Sequence, residues 1–349
     1  MVRIGIIGVG GIADSVHIPG INKAADGTLV AICDTDRTRL DIIGEKYNIP
    51  KTHRFENYLD LIACEDVDAV EICTPNYLHV QMAIDAVKSG KSINVEKPLS
   101  VNLTEAKRLE KVLQKNSVSN MMCFSYRFKP AVRYAKEIIN RGLLGDILSV
   151  NVEYLKSSAF WTERRLEWRF IKKYAGTGVL GDLGVHLIDM AQFLIGDITR
   201  VAADAGIIVK QRKRINSDEL GNVETDDYCN FMADFDCGAH GMFTITRCAI
   251  GHDNTIKYDI FGTKGVLSFN LNNPNELSLC IGEIDVESYG MHTVKVPEKY
   301  GITQEQMFIN MANGFECQYL PTVADGIKCQ RILDSLLESS EKKCWISLD

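Results

Sequence analysis

The sequence predicts an α/β chain in two parts: a parallel sheet with helices on both faces over residues 1–123, then an α/β region with an antiparallel sheet over residues 124–349. Three observations carry this. Strand and helix patterns alternate through the first third, and alternation of that kind forces parallel pairing through crossover helices. A glycine-rich turn joins the first strand to the first helix at residues 8–13. Beyond residue 147, strand-like runs follow one another through Gly, Asn and Asp turns with no helix between most of them, which is the pattern of antiparallel pairing.

Taken in order, residues 2–7 form a buried strand, and Gly8, Gly10, Gly11, Ile12 and Ala13 make a G-x-G-x-x-A turn into a helix. Gly8 permits the tight turn, Gly10 lets backbone approach a pyrophosphate, and Ala13 lets the helix pack closely on the strand. The next strand, residues 29–33, ends in Asp34, about 20 residues past the turn, where a carboxylate can accept hydrogen bonds from both hydroxyls of an adenosine ribose. Such an acid repels a 2′-phosphate, so NAD is expected over NADP, with Arg37 close enough to soften the preference. A helix at 58–63 precedes a strand at 68–73 that ends in Thr74, Pro75 and Asn76, and His79 lies at the start of a helix running to 89; these four are expected as cofactor contacts. The strand at 92–95 stops abruptly at Glu96-Lys97-Pro98. That places an ammonium group where open parallel sheets present their carboxyl ends to ligands, with an X-Pro bond that is a candidate for cis geometry. A helix at 104–114 and a strand at 120–124 complete the series.

In the second part, a helix at 130–139 leads to a long strand at 147–156, and residues 157–177, rich in aromatics and arginines, form a loop of the kind that carries function. Strands are expected at 200–210, 228–235, 240–248, 256–261, 265–269 and 276–281, with closing helices at 304–316 and 324–339. Between the loop and these strands, Asp182, His186 and Asp189 fall at i, i+4 and i+7, one polar stripe of a single expected helix. A histidine beside carboxylates is suited to moving protons near neutral pH, with Asp182 orienting the imidazole. Asp-x3-His also has metal-ligand spacing, but no second cluster completes a coordination set, so no metal is expected.

Composition excludes other classes. A formal charge of -7 without a dense Lys/Arg cluster argues against a nucleic-acid partner. Eleven cysteines without a Cys-x-x-Cys pair suit buried thiols in a reducing compartment, the chain starts directly on a strand, and no apolar run reaches the roughly 18 residues of a membrane span. A cytoplasmic protein is expected, off the membrane.

With these motifs in view, the chain resembles the oxidoreductase family that contains glucose-fructose oxidoreductase and inositol 2-dehydrogenase, over essentially its whole length. Residues 8–13, Thr74-Pro75-Asn76, Glu96-Lys97-Pro98, and the segment 178–186 that ends in Asp182 and His186 carry the resemblance. It implies a Rossmann domain followed by an α/β domain with a large open antiparallel sheet used for dimer or tetramer packing. It also implies Lys97, Asp182 and His186 as catalytic residues that touch substrate, and Glu96 and Asn76 as cofactor contacts. It also aligns Arg127 with a substrate-side residue and Trp168-Arg169 with a pair that closes over the nicotinamide. Tyr154 and Tyr258 are further pocket candidates, each with a buried strand tyrosine as the competing reading. The expected activity is NAD-dependent removal of a hydride from a secondary alcohol of a sugar, glycoside, sugar phosphate or cyclic polyol. His186 would take the proton and Lys97 stabilise the alkoxide. The Trp168-Arg169 segment leans towards relatives that oxidise glucosides or glucose phosphates at C3, which makes Arg164 and Arg165 phosphate candidates. Two alternatives stay open at this point: a lyase that oxidises C3 transiently and returns the hydride, and a nucleotide-sensing regulator without turnover. The apolar strand runs over 228–248, with no helix layer in sequence to cover their outer face, predict a homo-oligomer.

Overall fold

In the computed structural model, which describes residues 1–348, the chain divides into two compact units. The first contains residues 1–124 and 303–328, the second residues 125–302 and, among the described residues, 329–348. The expected cut near residue 123 is therefore crossed a second time, because a late segment returns to the first unit.

In the first unit, strands β1 (Val2–Ile7), β2 (Gly27–Cys33), β3 (Arg54–Phe55), β4 (Ala69–Ile72), β5 (Ser92–Val95) and β6 (Asn120–Met122) form a parallel sheet in the order β3-β2-β1-β4-β5-β6. The order reverses at β1/β4, and open α/β sheets bind ligands at the carboxyl ends of strands beside such a switch point. Helices α1 (Ile18–Lys23), α2 (Arg37–Lys46), α3 (Tyr58–Ala63), α4 (Asn76–Lys88) and α5 (Leu103–Leu113) make the crossovers. Ile4, Ile6, Ala31, Ile32, Val70, Ile72, Ile93 and Val95 are fully buried, as strands covered on both faces require. Two polar residues interrupt this core: Glu71 in β4 and Asn94 in β5, both wholly buried, with Asn94 Nδ2 donating to Glu71 Oε1 at 2.6 Å. The β6 edge is covered by the returning segment. Met122 N–H donates to the Pro321 carbonyl and Val323 N–H to Asn120 Oδ1.

The second unit opens with α6 (Pro130–Asn140) and β7 (Ile147–Leu155), then a short α7 (Lys172–Ala175) and α8 (Val185–Leu194). Next come β8 (Ile198–Gly206), β9 (Gln211–Lys213), β10 (Leu220–Asn222), β11 (Tyr228–Phe235), β12 (His240–Thr246), β13 (Thr255–Gly262), β14 (Gly265–Asn270), β15 (Glu276–Ile281), α9 (Glu283–Ser288) and β16 (His292–Lys295). The late helices are α10 (Gln304–Ala312) in the first unit and α11 (Val323–Lys342), and β17 (Ile346–Ser347) adds an edge strand. Nine strands run in the order β16-β15-β14-β13-β7-β12-β11-β8-β17, with β12–β7 the parallel pair and the others antiparallel. Alternation is clean in β11 and β12. Phe231 stacks on Phe243 on the inner face, while Met232 and Met242, paired across the strands, are exposed on the outer one.

Differences from expectation have local causes. The strand expected over 200–210 ends at Gly206, and β9 and β10 form a separate two-stranded ribbon too short to show periodicity. The helix expected to reach residue 316 stops at Ala312, two residues before Gly314 at φ 81°. Most relevant to the site, the single helix expected from Asp182 begins as a π-helical turn, Leu180–Gly184, and becomes α-helical only at Val185. The wider turn rotates Asp182 out of the stripe predicted for it with Asp189. A second π-helical turn, Ala13–His17, follows the glycine turn of the first unit.

Candidate active site

In the first unit, Gly8 has φ 90°, and a Cβ there would lie 2.8 Å from the Cys73 carbonyl oxygen, so glycine alone lets β1 turn beside β4. A Cβ on Gly10 or Gly11 would meet nothing within 4 Å; the backbone faces open space beside exposed Ile12, and this fits a pyrophosphate approaching closely. At the end of β2, Asp34 Oδ2 accepts the Val9 N–H at 3.0 Å and Oδ1 the Asp36 N–H at 3.0 Å, tying the strand end to the glycine turn. Capping of α2 falls to Asp36, which accepts from Arg39 N–H. Arg37 pairs with Asp41 and Glu56, and the guanidinium beside Asp34 is that of Arg39, at 3.9 Å. Two residues along a 3.6-residue turn point to opposite sides of a helix.

Thr74 and Pro75 leave β4 half-buried, and Asn76 begins α4 without a capping side chain on Pro75. His79, expected as a cofactor contact, acts within the protein as a clasp. It is buried, with Nδ1 2.9 Å from the Pro98 carbonyl and Nε2 2.7 Å from the Thr74 carbonyl, so it joins the β4 and β5 exits from behind. Burial pushes its imidazole below the ordinary value against the pull of those two carbonyls. At the β5 exit, Glu96 and Lys97 are half-buried, the Lys97–Pro98 peptide is cis, and Glu96 Oε2 accepts the Lys97 N–H at 3.0 Å. Glu96 Oε1 meets His17 Nε2 at 2.9 Å, a partner that sequence reasoning passed over. The signal was there in Glu71: an acid inside a buried apolar strand needs a compensating group.

In the second unit, Asp182 is half-buried in the π turn and His186 is buried in the first turn of α8. The His186 ring lies edge-on to Tyr126, centroids 4.7 Å apart. Tyr126, Tyr154 and Asn254 close a ring of hydrogen bonds: 3.0 Å between the two hydroxyls, Tyr154 O–H donating to Asn254 Oδ1 at 2.7 Å, and Asn254 Nδ2 donating to the Tyr126 hydroxyl at 2.9 Å. Each member both donates and accepts, so the polar group beside His186 is rigid. Burial, reinforced by Tyr126, raises the Tyr154 phenol and keeps it protonated at neutral pH. Tyr126 and Asn254 were missed because one sits beside the more conspicuous Arg127 and the other in a glycine-containing turn.

Two substrate-side candidates have partners within the protein. Arg127 forms a buried fork with Asp189, at 2.8 and 2.6 Å, which commits its guanidinium to the core. Tyr258 is fully buried, stacked on Phe269 and donating its hydroxyl to the Leu187 carbonyl at 2.6 Å. In the arginine-rich loop, Arg169 stacks on Trp168 at 4.3 Å, and the Arg169 carbonyl accepts from Thr225 Oγ1. Arg164 is held by Glu167 and the Ser158 carbonyl, and Arg165 by the carbonyls of Arg214 and Ser217. Neither phosphate candidate is uncommitted.

Among the described residues, two clusters bring potential metal-ligand atoms within 4.8 Å: His17, Glu71 and Cys123, and at the surface His53, Cys64 and Asp66. In the buried one, Asn94 already fills a Glu71 oxygen and Cys123 Sγ faces Asn94 Oδ1 at 3.3 Å, while burial raises the thiol far above its usual value. That is the chemistry of a hydrogen-bonded network. In the exposed one, Asp66 is engaged by Arg3 and His53.

Comparison with known proteins agrees with this geometry. The model of an oxidoreductase family with an NAD-binding Rossmann fold matches residues 2–124, and the GFO/IDH/MocA C-terminal domain matches residues 132–268. A levoglucosan dehydrogenase of Pseudarthrobacter phenanthrenivorans is 32% identical over 84% of this chain and 84% of its own length. A glucose-6-phosphate 3-dehydrogenase of Bacillus subtilis is 26% identical over 97% of this chain and 96% of its own. A solved structure of levoglucosan dehydrogenase with NADH and levoglucosan superposes with a TM-score of 0.89 at 29% identity, covering 99% of both chains. The chain belongs to the GFO/IDH/MocA oxidoreductase family, and it is an NAD-dependent dehydrogenase of the sugar- and polyol-oxidising kind.

Proposed function

We propose that this family member oxidises a ring secondary hydroxyl of an uncharged hexose or anhydrohexose. The observation that carries the reading is the likeness, over nearly the whole chain, to levoglucosan dehydrogenase. The engagement of Arg164 and Arg165 by their own loop and ribbon favours a neutral sugar over a phosphorylated one. NAD, when bound, supplies the hydride acceptor. For the chain's own groups the assignment is as follows: His186 takes the hydroxyl proton, Asp182 supports the imidazolium, and Lys97 stabilises the developing alkoxide. Asp34 and the 8–13 turn hold the dinucleotide, with Thr74, Pro75, Asn76 and Glu96 beside it and Trp168-Arg169 closing over the nicotinamide.

The test is a panel of levoglucosan, glucose, glucose 6-phosphate and myo-inositol, each with NAD and with NADP, read by NADH or NADPH absorbance. Turnover fastest on an uncharged sugar with NAD is expected. Turnover confined to glucose 6-phosphate or myo-inositol would exclude the proposed substrate class.

Among the described residues, no helix is long and apolar enough to cross a membrane, and a cytoplasmic site of action is part of the same proposal. So is a homodimer or homotetramer built on the outer sheet face, where Met232 and Met242 are exposed. Sedimentation at micromolar concentration should give more than one chain, and Met242→Asp should shift the species towards 39 kDa.

A further inference from the structure

Beneath the β5 exit lies a cluster that the proposed chemistry leaves unexplained. His17, the last residue of the π turn, is buried, and its imidazole sits among acids: Nε2 hydrogen-bonds Glu96 Oε1 at 2.9 Å, while Nδ1 lies 2.9 Å from Glu71 Oε1 and 3.6 Å from Glu305 Oε1 of α10 as ion-pair contacts without hydrogen-bond geometry. Cys73 and Cys123, the residues after β4 and β6, complete the surroundings. Gly20 makes room for Glu305, since a Cβ there would lie 2.5 Å from the Glu305 carboxyl carbon. Three carboxylates share one imidazole, so a charged ring is the form that satisfies them. Burial alone would push the imidazole down, but the Glu71 carboxylate, helped by Cys73 and Glu305, more than reverses this and holds it well above the ordinary value.

The network has a direction. Cys123 Sγ faces Asn94 Oδ1, Asn94 donates to Glu71, Glu71 lies at ion-pair distance from His17, His17 Nε2 meets one oxygen of Glu96, and the other oxygen of Glu96 accepts the Lys97 N–H. A carboxylate at the end of a strand rotates about its side chain unless both oxygens are engaged. We propose that His17 is a positioning residue: by fixing Glu96 Oε1 it aims Oε2 at the Lys97 amide and so sets the backbone from which the Lys97 ammonium projects. This rests on the reading of Lys97 as the group that stabilises the alkoxide. The wide π turn serves the same end, because a single extra residue after the glycine turn brings His17 inward towards both acids.

The experiment uses full-length protein labelled with [15N]lysine, in which the Lys97 amide is identified by its disappearance in Lys97→Arg. Its hydrogen-exchange rate is then measured in wild type, His17→Leu and Glu71→Gln, each first shown to be folded by its melting curve, alongside turnover of the fastest sugar of the panel above. His17→Leu is expected to speed exchange at Lys97 by about tenfold or more while other lysine amides of β-strands and helices stay within about twofold. It should also lower kcat by about tenfold, with KM for the sugar within about threefold. Glu71→Gln preserves shape and removes the charge, so it should move both readouts in the same direction by less, and it decides the matter should His17→Leu fail to fold. Exchange at Lys97 and kcat both within twofold of wild type in the folded variant would overturn the proposal, as would stoichiometric zinc in the purified wild-type protein. If Lys97→Ala keeps full turnover, the catalytic reading of Lys97 falls, and the exchange measurement still decides whether His17 holds that corner.

Discussion

The two units bury charge in opposite ways. In the second, two buried arginine–aspartate pairs stand out: Arg127 forks onto Asp189, and Arg247 Nε donates to Asp227 at 2.9 Å with both residues buried. In the first, three carboxylates gather on one imidazole. An arginine stays charged at any pH a protein survives, so the matched pairs are fixed struts. A histidine holds its charge only by virtue of the acids around it, so the first unit's network depends on protonation. The difference teaches where each unit needs permanence and where it can be tuned: α8, carrying His186, is anchored by the fixed pair, whereas the strand exit carrying Lys97 is anchored by the titratable one.

That contrast can be broken at several points. The largest effect is expected at the fixed strut: Arg127→Leu leaves Asp189 buried without its guanidinium and should cost about 3–5 kcal/mol, read from urea or thermal unfolding. Loss of stability under about 1 kcal/mol would mean that Arg127 is no anchor. Next come the catalytic assignments. His186→Ala and Lys97→Ala should each lower turnover by about 10²-fold or more with NAD affinity little changed, and Asp182→Asn should fall between them and wild type. Near-wild-type turnover in both alanine variants would move the chemistry elsewhere. Asp34→Ser removes a charged acceptor at the end of β2, and the ratio of kcat/KM for NAD over NADP should drop by about tenfold, as loss of one charge-assisted hydrogen bond implies. An unchanged ratio would leave Asp34 as no more than the tie to Val9.

The smallest effect is a pH slope. The folded-state value of His17 is raised above its unfolded value of about 6.5. Its contribution to stability is therefore fully present below about pH 6.5 and is lost as pH rises through the folded value. The melting temperature of wild type should accordingly decline more steeply on the alkaline side than that of Glu71→Gln, in which the raising charge is gone. Parallel curves for the two proteins would show that His17 is not charged by Glu71.

Much of the first unit could be read from sequence because its signals are local. Gly8, Asp34 and the Glu96-Lys97-Pro98 exit each sit where one strand ends, and a strand end is visible as a change of residue type. The partners of those residues were not legible. His17 meets Glu71, Glu96 and Glu305 across 54 to 288 residues of chain, and no periodicity reports such a meeting. In the second unit the strands were legible from alternation, as β11 and β15 show, but the π turn at Leu180–Gly184 was not, since a helical pattern does not reveal one wide turn. The same limit explains Arg127 and Tyr258. Both types occur in pockets and in cores, and their partners, the carboxylate of Asp189 and the carbonyl of Leu187, lie far away in sequence.

The return of residues 303–328 to the first unit bears on how the protein is made. When residue 124 leaves the ribosome, β6 has no neighbour on its outer edge and Glu305 does not yet exist. At about 5–20 residues per second, residue 328 follows roughly 10–40 seconds later. For that interval the nascent sheet carries an open edge and an incomplete acid cluster, so the nucleotide-binding unit is finished after most of the second unit has been synthesised. Fragments that stop at residue 124 should for the same reason be prone to edge-to-edge association, whereas adding a linked copy of residues 303–328 should restore a soluble, dinucleotide-binding product.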